Sequence, residues 1–115
     1  MILVDTSVWI DHLRRGDTEL QRLLEKGQVL THPFVVGELA MGSLKQRETI
    51  LEALQNLPVA EKAHDDEVLL FVADHALFGL GIGYVDAHLL ASTRLTPGAL
   101  LWTRDKRLAE IAATQ

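Results

Sequence analysis

Met1-Ile2-Leu3-Val4-Asp5-Thr6-Ser7 opens the chain with four apolar residues, one acid and two hydroxyls. An apolar run without alternation predicts a strand buried on both faces, as in a parallel sheet, and Asp-Thr-Ser after it predicts the cap of a helix. Further strands alternating with helices are then required, because a strand buried on both faces must be covered on both.

The residues beyond meet that requirement. A helix carrying Val8, Trp9, Ile10 and Leu13 is interrupted at Gly16-Asp17, and Leu20, Leu23 and Leu24 resume helical spacing up to the stop at Lys26-Gly27. Gln28-Val29-Leu30-Thr31 predicts a short strand, and Pro33 suits the first turn of a helix over 34–41. Residues 45–56, with Ile50, Leu51 and Leu54 on one face, predict another helix, and a weak strand follows near Val59. The segment 65–78 predicts a helix apolar nearly all round, which implies a central place or a covering partner subunit. Three glycines in 79–83 predict a loop, 85–95 a helix, Pro97-Gly98 a turn, 99–103 a buried strand and 105–113 a last helix. The expected architecture is one α/β domain over 1–115, with a central parallel sheet of about four strands flanked by helices on both faces.

Composition narrows the chemistry. The 115 residues include no cysteine, which excludes disulfides, zinc–thiolate sites and thiol nucleophiles. Eleven Lys and Arg against sixteen Asp and Glu give a net charge of −5, which argues against nucleic-acid binding through a generally basic surface. That objection weakens where several acids share a cation, because a bound divalent ion reverses the local sign. No basic leader opens the chain and no apolar run reaches the roughly 18 residues of a membrane span, so the expected location is cytoplasmic.

Four acids stand out. Asp5, Asp86 and Asp105 each fall where a helix begins, and taken singly each reads as an N-cap; Glu38 taken singly reads as a solvent-facing residue. Jointly they read differently. Asp5 and Asp105 both follow apolar strands, and parallel strands bring their C-terminal ends to one edge, where open α/β sheets bind ligands. Glu38 and Asp86 sit among apolar sequence neighbours, where an ionised carboxylate is costly unless paired or bound to metal. Oxygen-only ligation suits Mg²⁺ or Mn²⁺, and such a site suits phosphodiester hydrolysis by a metal-activated water.

Asp5-Thr6-Ser7 after a first strand, Val36-Gly37-Glu38-Leu39, the run from Gly83 through Asp86 and His88 to Ala91, and Thr103-Arg104-Asp105-Lys106-Arg107-Leu108 together resemble the PIN-domain nucleases. More narrowly, they resemble the VapC-type toxins of bacterial toxin–antitoxin pairs, over essentially the whole chain. The resemblance implies that Asp5, Glu38, Asp86 and Asp105 hold one or two Mg²⁺ or Mn²⁺ ions for endonucleolytic cleavage of RNA. It implies that the hydroxyls of Thr6 and Thr103 orient a carboxylate or water. It further implies a homodimer, a small antitoxin covering the cleft, and a fifth, C-terminal strand that is here absent or very short.

Arg104, Lys106 and Arg107 flank Asp105 and are expected RNA phosphate contacts, whereas Arg14 and Arg15 read as complements to a helix C-terminus. His88 reads as structural, since two positions from Asp86 it points elsewhere on a helix. Trp9 and Trp102 read as core. Three other functions compete: a nuclease of the same fold acting on DNA flaps or RNA-processing intermediates, a receiver-like signalling module, and a catalytically silent binding domain. The receiver needs a phosphoacceptor aspartate ending a middle strand, and neither 29–32 nor 59–60 offers one.

Overall fold

The computed structural model describes all 115 residues. Strand β1 (Ile2–Val4) leads into α1 (Thr6–Arg15) and α2 (Thr18–Glu25), then β2 (Val29–Leu30), α3 (Pro33–Ala40) and α4 (Arg47–Gln55). The second half contains α5 (Asp65–Asp74), α6 (Tyr84–Leu95), β3 (Leu100–Trp102) and α7 (Lys106–Thr114). The sheet has the order β2-β1-β3 and is parallel throughout, with Ile2 opposite both Val29 and Leu100. Three strands form it, and the weak strand expected near Val59 is a single parallel bridge to Thr31. Pro58 has no N–H to extend a ladder, so pairing there stops at Thr31 N–H to Pro58 O and Ala60 N–H to Thr31 O, at 2.8 and 2.9 Å.

The first strand is the middle one, which explains its unbroken apolar sequence: Leu3 and Val4 are fully buried. They join Val8 and Trp9 of α1, Leu20 of α2, Val29 of β2 and Val35 and Leu39 of α3 in one main core. Two smaller clusters fasten the second half: Ala63, Val68, Ala87 and Ala91 join α5 to α6, and Leu77, Leu90 and Leu108 join α6 to α7. Against the expectation of a buried strand, Leu100 is exposed and its neighbours are half-buried, because β3 is an edge strand paired only with β1.

Local signals set the helix ends. Gly16, at φ 77°, ends α1, and the Asp17 carboxylate accepts from Leu20 N–H at 2.9 Å to begin α2. The α5 helix stops at Asp74, short of the expected 78. Ala76 adopts the left-handed conformation at φ 51°, and Leu77 N–H bonds back to Val72 O at 2.9 Å, a turn that returns Leu77 to the core. Nor is α5 central: Val68 is its one buried residue, and Leu69 and Leu70 are each 62% exposed.

Candidate active site

Asp5 directly follows β1 and Asp105 lies just beyond β3, so the parallel pairing of those strands carries both acids to one sheet edge. Asp5 N–H still donates to Trp102 O at 2.9 Å, which extends the ladder to the acid itself. Although Asp5 occupies the cap position of α1, its side chain makes no capping bond. Its Oδ2 instead accepts from Thr103 Oγ1 at 2.7 Å and from Ser7 Oγ at 2.8 Å. Only 7% of Asp5 is exposed, so these two hydroxyls replace the water that an ionised carboxylate loses on burial. Both are held from behind, Ser7 Oγ by Arg104 N–H and Thr103 Oγ1 by Asp105 N–H, each at 3.0 Å.

Glu38 comes from α3 and is joined to this edge by Thr6, whose Oγ1 donates to Oε1 at 2.7 Å. Its apolar sequence neighbours do not surround it. Val35 and Leu39 face the core while Glu38 is exposed, since adjacent residues point in different directions around a helix. The cost expected for a buried Glu38 therefore does not arise. Asp86 is half-buried in the first turn of α6, where Oδ2 accepts from Gly83 N–H at 3.1 Å. Burial pushes its carboxyl above the usual range, Gly83 N–H opposes the rise, and the nearby charges of Asp5 and Asp105 add to it. Of the expected caps, Asp105 alone acts from the N-cap position, with Oδ1 accepting from Leu108 N–H at 3.1 Å, whereas Asp86 sits in the first turn and accepts from the N–H of the cap residue Gly83.

One regularity links the four. Each carboxylate has one oxygen held, by a hydroxyl or a backbone N–H, while the other oxygen has no protein partner. None is paired with a lysine or arginine. Arg104, beside Asp105 in sequence, reaches away to Asp11 at 2.7 Å and to Asp17. Its guanidinium is thus paired with these two carboxylates in this structure. Arg107 packs over Gly81, where a Cβ would collide with the guanidinium, and Lys106 stays exposed.

As a donor set the residues fit a hard divalent cation: oxygen ligands only, unneutralised and with a free lone pair on each acid. No three acidic or imidazole side chains converge as a ready-made cage, so an ion would draw the free oxygens inward.

A family model described as PIN domain matches residues 2–114. The chain belongs to the PIN-domain family. It is 52% identical over 113 residues to Ribonuclease VapC32 of Mycobacterium tuberculosis, in each of two strains, covering 98% of this chain and 91% of the relative. At that level of identity this PIN domain is of the VapC type. Asp5, Glu38 and Asp105 come from the segments that follow β1, β2 and β3, towards the ligand-binding edge of an open parallel sheet. Asp86 comes from the start of α6, the helix that leads into β3.

Ser7 is the contributor that the sequence did not single out. It belongs to the same Asp-Thr-Ser run, and nothing in the run tells which hydroxyl turns back to Asp5 and which reaches Glu38. His88 is fully buried away from the acids, with Nε2 3.0 Å from Asp65 Oδ1, and the Tyr84 hydroxyl donates to the same oxygen. Tyr84 and His88 together hold Asp65 below the usual carboxylate range.

Proposed function

We propose that this PIN domain is the toxin of a toxin–antitoxin pair, an endoribonuclease in which Asp5, Glu38, Asp86 and Asp105 hold one or two Mg²⁺ or Mn²⁺ ions. The observation that carries the reading is the pattern of four unpaired carboxylates, each fixed through one oxygen and open at the other. The VapC-type relatives support RNA as the substrate over DNA flaps. A bound divalent cation supplies charge neutralisation at the phosphate and a lowered pKa for the attacking water.

The chain's own groups do the positioning. Thr103 and Ser7 hold the Asp5 carboxylate against the sheet edge, and Thr6 fixes the direction of Glu38. Gly83 N–H holds one oxygen of Asp86, so the other is presented to the cleft. No serine, cysteine or histidine nucleophile is needed. The function carries two partners, a small antitoxin that masks the acidic cleft and a second copy of the chain. No helix is long and apolar enough to cross a membrane, and we place the activity in the cytoplasm.

The deciding experiment compares Asp5→Asn and Asp86→Asn with the parent protein on structured and linear RNA, with Mg²⁺, with Mn²⁺ and after chelation. The parent is expected to cut RNA only with a divalent ion, and each variant to lose on the order of a hundredfold or more in kcat while keeping its circular dichroism. Undiminished cleavage by either variant removes the acids from the chemistry.

A further inference from the structure

We infer that the groove between α1, α3 and the loop 42–46 is the track by which the RNA backbone enters the site, with Arg14 and Lys45 as its phosphate contacts. This deepens the ribonuclease reading and rests on it.

The groove has a volume of about 660 Å³, and Glu38 forms part of its wall beside Arg14 and Lys45. Unpaired cations also occur at Lys26, Arg94, Lys106 and Arg107, but Arg14 and Lys45 are the ones that line the groove beside Glu38. Arg15 pairs with Asp11, Arg22 with Glu19, and Arg104 with Asp11 and Asp17. Arg47 donates to Ala40 O at 3.1 Å, and Lys62 lies over the Phe34 ring. Arg14 and Lys45 are exposed and have neither a carboxylate partner nor a hydrogen bond, although Glu38 lines the same groove. Two free positive charges leading to an unpaired acid form a local reversal of the molecule's net −5. A phosphodiester backbone is the polyanion that such charges match.

The backbone of the loop is consistent with a retained task. Gln46, next to Lys45, sits at φ 53°, a left-handed conformation that costs a non-glycine residue energy unless its surroundings impose it. The remaining wall is aliphatic at Ile10, Leu13, Leu39, Leu44 and Ile50 and polar or open at the loop residues Gly42, Ser43 and Gln46. It lacks an aromatic platform for stacking bases, so the track reads backbone charge and carries little base preference.

The test measures cleavage of a mixed-sequence single-stranded RNA by the parent, Arg14→Ala, Lys45→Ala and the double variant across a series of KCl concentrations. Lys26→Ala, at the far end of α2, is the control for loss of one surface charge. Each track variant is expected to lower kcat/KM by about threefold to tenfold with kcat within about twofold. Each should also flatten the plot of log kcat/KM against log salt by about 0.7, the value for one phosphate contact on a single strand. Arg14→Lys should restore most of the slope, because charge rather than shape is being removed. Values of kcat/KM and slope equal to those of the parent overturn the track alone and leave the groove to a protein partner. A parent protein that cuts no RNA with any divalent ion overturns the ribonuclease reading and the track with it.

Discussion

His32 shows how far one buried side chain ties stability to pH. Its Nδ1 accepts from Phe34 N–H at 3.0 Å, so the proton of the neutral ring lies on Nε2, which donates to Ser92 Oγ at 3.1 Å. Burial, with smaller contributions from His88 and Lys62, lowers its pKa from 6.5 to about 4. Because the unfolded chain takes up the proton first, stability is complete above the unfolded value and declines as pH falls from 6.5 towards about 4. The largest loss from this group is about 3 kcal/mol, by the conversion of about 1.4 kcal/mol per pH unit of pKa difference. Urea unfolding at a series of pH values should show that slope, and His32→Gln should flatten it. An unchanged slope would assign the pH dependence to other groups. At this scale the sequence pointed to the four acids, but not to their environments. Asp5, which reads as a plain helix cap, is the most buried, and Glu38, which reads as a costly buried charge, is exposed. Helical phase decides the second case and the Thr103 hydroxyl the first, and neither can be read from adjacent letters.

Elements were easiest to read where the chain carries its own punctuation. The break between α1 and α2 follows from Gly16 and Asp17, and the start of α3 from Pro33. The end of α5 was hidden because an alanine, not a glycine, takes the left-handed position after it. That residue gives a direct test. A left-handed alanine costs about 1–2 kcal/mol over the right-handed form, and glycine gives back part of any relief through its freer unfolded chain. Ala76→Gly is therefore expected to stabilise the protein by about 0.5–1 kcal/mol, read as a raised urea midpoint with unchanged m-value. A lowered midpoint would mean that the Ala76 methyl makes a contact outweighing its strain. The weak strand expected near Val59 pairs in the expected place but shortens to a single parallel bridge. Its residues suit a strand, but Pro58 cannot donate and the partner strand is only two residues long.

For the whole molecule, the exposed apolar side chains matter more than the core. Leu69 and Leu70 lie on a helix whose sequence implied either a central place or a covering partner subunit, and Phe78 and Leu80 are also exposed just beyond it. Singly exposed leucines are ordinary, but adjacent ones followed by an exposed phenylalanine fit an interface with a second copy. The parent protein is expected to run as a dimer by light scattering at micromolar concentration. Leu69→Asp with Leu70→Asp should give a monomer with unchanged circular dichroism. A monomeric parent, or a dimer that survives both changes, removes this face as the interface.

The central position of β1 bears on how the protein is made. Its partner β3 and the hydroxyl that holds Asp5 come from residues 100–103, almost a hundred positions later. Contacts of such separation form late, after the entropy of closing the long intervening chain has been spent. During translation β1 can gain β2 as a neighbour early, yet Asp5 has neither β3 nor the Thr103 hydroxyl until residues 100–103 have been made. A fragment released early carries three of the acids but not this edge of the sheet. The order of synthesis therefore delays assembly of the acidic edge until β3 and the hydroxyl that follows it have been made.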